Sequence, residues 1–136
     1  MKPESSIFKA LSDETRLRIL HLFLVNKDPL CVCEIVDALR VPQYQASKHL
    51  LILKNAGLVD VKKRGTWAYH SLTTNESKNI LLFSFLKSFL GSDSFEEDKR
   101  NLESRLLLRE EGKCVVGFVP ISTLTRLIKT KRRQTV

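Results

Sequence analysis

The amino-acid sequence predicts a mainly α-helical fold with one small β-hairpin, and three observations predict it. From Val32 to Leu53, apolar residues recur at helical spacing on either side of a break at Arg40 to Pro42, the pattern of two short helices joined by a tight turn. Directly behind them, LVDVKKRGTWAYHSL (58–72) reads as two β-prone runs around Gly65. Between Asn75 and Leu90 stand Ile80, Leu81, Leu82, Phe83, Phe85, Leu86, Phe89 and Leu90, far more apolar surface than one face of a surface helix needs. A helix-turn-helix followed by a hairpin wing, with the apolar helix closing a homodimer, accounts for all three: a winged helix-turn-helix.

The bulk properties agree with this. A chain of 136 residues carries one domain with a modest core. A formal charge of +8 favours a polyanionic partner. No stretch has the form of a cleaved leader, and no apolar run approaches the roughly 20 residues that a membrane span requires, so a cytoplasmic protein is expected. Three cysteines, two of them one residue apart, do not form a secreted disulfide framework. Reduced thiols available to a metal are expected instead.

In chain order, residues 3–10 predict a short helix with Ile7, Phe8 and Leu11 apolar. Ser12 is the expected N-cap of the next helix, with Asp13 and Glu14 where a helix start favours negative charge. That helix carries Leu17, Leu20 and Leu24 as its stripe, widened by Ile19, Leu22 and Phe23. His21 among them is read as a packed structural histidine. Asn26 to Pro29 is a turn.

The second helix of the pair opens at Pro42, in the first helical position, and ends at Gly57. Ala46, Leu50 and Leu53 form its buried stripe. The opposite face carries Tyr44, Ser47, Lys48 and Leu51, flanked by Gln43 and Gln45. Gln bridges base edges, while Lys and Ser hold phosphates, so this face is a candidate reader of a DNA major groove. His49 lies beside the buried stripe, for packing or phosphate positioning. The hairpin tip, Lys62, Lys63, Arg64 and Thr66, is cationic as a wing lying along a DNA backbone needs to be. Trp67, Tyr69 and His70 in the second wing strand are read as structural, with Trp67 a possible anchor of the wing.

Past the apolar helix, Gly91-Ser92-Asp93 breaks the pattern, and Ser94 with Glu97 reads as a capping box for a helix to about Glu111. Gly112 ends it. Residues 114–119 form a β-prone run, 122–128 one weak helical turn, and 129–136 a basic tail expected to be disordered. The organisation expected is a DNA-binding and dimerisation unit over 1–91, a helical extension carrying Cys114 over 92–128, and the tail over 129–136. No repeats are present.

Four segments, LSDETRLRIL, LCVCEI, ASKHLLILKNAGLV and RGTWAYHSL, occur in an order that resembles the ArsR/SmtB family of winged-helix repressors over about residues 7–90. The CVC at the start of the helix before the reading helix resembles the arsenic-sensing branch. The resemblance implies a homodimer on double-stranded operator DNA, released when As(III) or Sb(III) binds cysteine thiolates. The zinc-sensing branch places Asp and His ligands on the apolar helix, and residues 75–90 contain neither. Cys31 and Cys33 are the expected ligand pair. Residues two apart on a regular helix point to nearly opposite sides, so the pair requires an extended or deformed first turn, where free amides and the helix dipole favour thiolates. Val36 stands where the branch's CVCxxC pattern has its third cysteine, which leaves Cys114 as the candidate third ligand, from the same or the partner subunit.

Alternative inducers on this scaffold are Cd(II) or Pb(II), for which no cysteine precedes Cys31, and an oxidant acting on the thiols. An enzyme is not expected. Neither CVCEIVD nor CVVGFVP supplies the arginine of an oxyanion-holding cysteine loop, and no Ser/His/Asp set or nucleotide-cradling glycine loop is present.

Overall fold

The chain runs α1 (Glu4–Leu11), α2 (Glu14–Val25), β1 (Leu30–Cys31), α3 (Val32–Leu39), α4 (Gln43–Asn55), β2 (Val59–Arg64), β3 (Trp67–Leu72), α5 (Ser77–Leu90), α6 (Glu96–Leu106) and α7 (Ile121–Thr135). The computed structural model describes residues 3–91, 93 and 95–135. The capping box expected at Ser94 lies outside the described residues.

Asp13, not Ser12, caps α2. Its Oδ2 accepts from the Arg16 amide at 3.1 Å, while Ser12 closes α1 by donating to the Phe8 carbonyl at 2.9 Å. Carboxylate oxygens at an N-cap accept strongly, and Ser12 is consumed by the preceding helix. α2 buries Ile19, Leu20, Leu22 and Phe23, with Leu17 and Leu24 of the expected stripe half-buried. It is enclosed by α1, α3, α4, α5 and α6.

The helix-turn-helix is α3 and α4. Arg40 takes the left-handed conformation at φ 58° to end α3, and Pro42 is the N-cap of α4 rather than its first helical residue. Gly57 lies just past the end of α4 at φ +78°, which favours a residue without Cβ. There the Gly57 amide donates to the Lys54 carbonyl at 2.9 Å and the Leu58 amide to the Leu53 carbonyl at 3.0 Å, the paired bonds of a Schellman end. Chain direction after α4 is thereby set, and β2 starts at once.

The wing is a three-stranded antiparallel sheet in the order β1-β3-β2. β2 and β3 pair from Val59 with Leu72 to Arg64 with Trp67, leaving Gly65-Thr66 as a two-residue turn. The third strand, β1, was not legible as one, since it is two residues long and pairs Leu30 with His70 and Cys31 with Tyr69.

α6 extends the main core rather than hanging from it. Leu102 belongs to the central apolar cluster, with Phe95 and Leu106 packed on its edge. Three arginine–carboxylate pairs bind α6 and the residues after it to α2 and α3: Arg18 to Asp98 at 2.8 Å, Arg105 to Asp37 at 2.6 Å and Arg109 to Glu34 at 2.8 Å. The helix stops at Leu106, short of the expected Glu111, and the chain turns back through Glu111 and Gly112, both at positive φ. A bridge between Glu110 and Lys113 closes this turn. Residues 114–119 form no strand. Residues 129–135 of the expected disordered tail are instead the second half of α7, which is held because Leu124 is buried and Arg132 Nη2 donates to Ser104 Oγ of α6 at 2.6 Å. No helix among the described residues is long and apolar enough to cross a membrane.

His21, His49 and His70 are all buried. Burial, the largest cause for each, holds their pKa values below the ordinary imidazole range. The unfolded chain therefore takes up protons near pH 6.5 that the folded chain refuses, and stability falls as pH falls below about 6.5. The urea midpoint at pH 5.5 is expected below that at pH 7.5, and equal midpoints would contradict this linkage.

Candidate metal centre and DNA-facing surface

Cys31 ends β1 and is the N-cap of α3, with extended backbone at φ −82° and ψ 156°. Cys33 lies one step inside the helix. Because the first of the pair is extended and the second helical, the opposition expected of two helical residues does not apply, and both sulfurs join one cluster with Tyr69 and Cys114. Cys114 comes from the same chain, brought back by the 110–113 turn. Its Sγ lies 3.7 Å from Cys33 Sγ, and each of these two sulfurs is 3.6 Å from the Val116 carbonyl oxygen. Two sulfurs sharing one ion at roughly 2.3 Å lie about 3.8 Å apart in tetrahedral geometry, so this pair is already spaced for a shared soft ion. None of the three cysteines is in a disulfide, and each is 2% exposed.

The cluster divides its protons unequally. Hydrogen bonds from Cys114 and Cys31, with the Arg105 guanidinium nearby, lower Cys33 to about 3, a thiolate at neutral pH. For Cys31, a hydrogen bond from Cys114 favours the thiolate, but the bond to Cys33, burial and the Glu34 charge outweigh it and push the thiol up to about 12. Its bonds to Cys31 and Cys33, together with burial, also raise Cys114. Of the three sulfurs, Cys33 is the one its neighbours favour as thiolate.

Glu34 was missed in the sequence, although its position three residues after Cys31 is a helical neighbour's spacing. One Glu34 oxygen and the sulfurs of Cys31 and Cys114 lie within 4.8 Å of one another. Its oxygens are already used: Oε1 accepts from the Cys31 amide at 3.0 Å and from Arg109 Nη2 at 2.8 Å, and Oε2 from Arg109 Nε at 2.8 Å. A carboxylate so engaged must give up Arg109 to bind an ion, whereas the three sulfurs give up only weak contacts. The donor set therefore fits a soft, thiophilic ion better than one that demands oxygen. Arg105 holds the third-thiol segment from below, donating from Nη2 to the Val116 carbonyl at 2.6 Å.

On α4, Gln43, Tyr44, Ser47 and Lys48 are exposed, as is Leu51. Gln45 is half-buried, with Nε2 3.5 Å from Thr15 Oγ1. His49 is turned to α2, not to the exposed face: Arg16 Nη1 donates to its Nδ1 at 3.0 Å, and its Nε2 is 3.8 Å from Asp13. Lys62, Lys63, Arg64 and Thr66 are exposed on the wing. Arg64 also lies over the Tyr69 ring, 5.8 Å from its centroid, and Arg109 approaches the same ring at 6.0 Å. Trp67 packs on the thiol cluster.

Residues 13–61 match the family model described as bacterial regulatory protein, arsR family. The chain is 46% identical over 77 residues, 57% of its length and 85% of the relative's, to an uncharacterized HTH-type transcriptional regulator of Methanocaldococcus jannaschii. It is 35% identical over 82 residues to a cadmium resistance transcriptional regulatory protein CadC homolog of Staphylococcus aureus, covering 60% of this chain and 67% of that one. It is 38% identical over 74 residues to an arsenical resistance operon repressor of Bacillus subtilis, covering 54% and 70%. Among solved structures, HlyU of Vibrio cholerae superposes with a TM-score of 0.56 at 28% identity, over 63% of this chain and 89% of that one.

Proposed function

Since the chain belongs to the arsR family of DNA-binding transcriptional regulators, and so is not an enzyme, we propose that it is a cytoplasmic, homodimeric repressor that leaves its operator when As(III) or Sb(III) binds Cys31, Cys33 and Cys114. The observation that carries this reading is the buried cluster of three thiols at the start of α3, the helix that packs directly against the reading helix α4. Arsenous acid exchanges its three hydroxides for three sulfurs. Two hydroxides leave as water with the protons of Cys31 and Cys114, the third takes a proton from solvent, and the Cys33 thiolate needs no deprotonation. The Gln43, Tyr44, Ser47 and Lys48 face then reads bases and phosphates, with Lys62, Lys63, Arg64 and Thr66 along the backbone.

The dimer is supported by α1 and α5. Phe8, Ile80, Leu81, Phe85 and Phe89 are exposed, and a groove of 420 Å³ lined by Ile7, Phe8, Leu81, Leu82 and Phe85 runs between the two helices. Such a patch on a regulator of palindromic DNA suits a second copy of the chain. Leu81→Glu is expected to convert the dimer to monomer in sedimentation and to weaken operator binding at least about 100-fold, because each half-site alone holds too few contacts.

Fluorescence anisotropy on the duplex upstream of its own gene tests the reading, with arsenite, cadmium, zinc and peroxide added separately under defined redox conditions. Release by arsenite is expected. Release by cadmium alone would change the ligand, and no binding at all would remove the function. A second reading, thiol oxidation, is favoured by the 3.7 Å approach of Cys33 and Cys114: peroxide would take two electrons, becoming water, as the two sulfurs join.

A further inference from the structure

We propose that Tyr69 is the positioning residue that carries ligand binding from the thiol site to the wing, so that the wing arginine Arg64 and the sensor share one side chain. This rests on the reading of the thiols as the inducer site and adds a route by which the site acts on DNA besides the α3–α4 packing.

Tyr69 meets the thiol site in two independent ways. Its backbone is the ladder partner of Cys31 across β1 and β3, and its Oη accepts a hydrogen bond from the Cys114 amide at 3.1 Å. The residue is 8% exposed. On the other side, the cross-strand register pairs Tyr69 with Lys62 and Trp67 with Arg64. Pairs two apart along a strand share one face, so Arg64, Trp67, Tyr69 and Lys62 look the same way, and Arg64 folds back over the Tyr69 ring at 5.8 Å. A cavity of 590 Å³ is lined by Arg64 and Gly65 of the wing tip and by Gly112 to Val115 of the turn that carries Cys114, leaving the wing tip room to move.

Coupling requires contacts that differ between two states. In the structure the Cys114 amide donates to the Tyr69 phenol oxygen, and the ring supports the Arg64 guanidinium by a cation–π contact at the wing tip. A ligand that bonds the Cys114 sulfur beside that of Cys33 takes it off the Val116 carbonyl, 3.6 Å away, and turns the Cys114 amide off the phenol. The ring then loses its anchor, and Arg64 loses its fixed height above the strand. An arginine released from its platform no longer meets a phosphate in register.

Tyr69→Phe keeps the ring and removes only the acceptor. In the full-length protein, arsenite affinity, read from the emission of the sole tryptophan, Trp67, is expected within about threefold of wild type, while operator affinity without arsenite is expected to fall toward that of the arsenite-bound wild type. The weakening of operator binding by arsenite is expected to fall from about 30-fold, inside the 5- to 150-fold range typical of coupled sites, to below 5-fold. Amide exchange across 62–68 is expected to quicken with arsenite in wild type and stay unchanged in the variant. A variant released as fully as wild type, or one whose wing exchange quickens equally, overturns the relay. So does a variant that keeps wild-type operator affinity without arsenite, which would leave the phenol no part in holding the wing. If wild type itself is not released by arsenite, the inducer reading fails first and the relay falls with it.

Discussion

Cys114→Ser is expected to weaken arsenite binding by at least about 100-fold, or ~2.8 kcal/mol at 1.4 kcal/mol per decade, while leaving operator affinity within about threefold. The sulfur it removes lies 3.7 Å from Cys33 Sγ in a cluster sealed from water. Serine preserves the size of the side chain, but it offers a hard, protonated oxygen where a soft ion needs a thiolate. Cys31 and Cys33 are not affected directly, so a two-sulfur site remains and binding is weakened rather than erased. Arsenite titration followed by Trp67 fluorescence, with operator anisotropy alongside, measures both quantities. Unchanged arsenite affinity would mean that the third ligand is not Cys114. Loss of operator affinity in the absence of arsenite would mean that Cys114 is a folding residue.

Arg109→Met is expected to destabilise the fold by about 3–5 kcal/mol, the usual cost of removing one partner of a buried ion pair. Glu34 is wholly buried at 0% exposure. Among the described residues, its carboxylate without Arg109 keeps the Cys31 amide alone as a partner. Arg109 also donates to the Pro29 carbonyl at 2.6 Å, so the loss extends to the approach to β1. Against a total stability of roughly 5–15 kcal/mol, this is a large fraction. The double variant Arg109→Met/Glu34→Met is expected to recover most of it, because an apolar pair of similar volume leaves no charge stranded. Urea unfolding of the two single variants, the double variant and the wild type closes the cycle. A double variant no more stable than Arg109→Met would show that the cost lies in lost packing rather than in the buried charge.

These two residues also separate what is written locally from what is not. Period and punctuation along the chain determined α2, α3, α4, the two long wing strands and α5. Apolar spacing, the break at Arg40 to Pro42, and glycine at 57 and 65 are local signals that tertiary packing did not override. The exposed faces of α4 and of the wing followed from the same periodicity, and with them Gln43, Tyr44, Ser47, Lys48 and the cationic tip. His49 and Gln45 did not. Their turn toward α2 depends on Arg16 and Thr15, which a helical wheel of α4 does not contain.

Only the tertiary structure decided the surroundings of the thiols. That Cys31 is extended while Cys33 is helical follows from a two-residue strand whose partner, Tyr69, lies 38 positions along the chain, and pairing of that kind leaves no local pattern. The return of Cys114 to the same site depends on Glu111 taking a left-handed conformation that its residue type does not announce. It depends as well on Arg105, buried on Asp37, and Arg109, half-buried on Glu34, both ordinary surface-type residues by composition. The continuation of α7 over a basic segment follows from contacts with α6, not from the composition of 129–135. Hydrophobic period is a property of neighbours in sequence, so it is readable there; a buried charge pair or a third ligand is a property of neighbours in space, and it exists only once the chain has closed on itself.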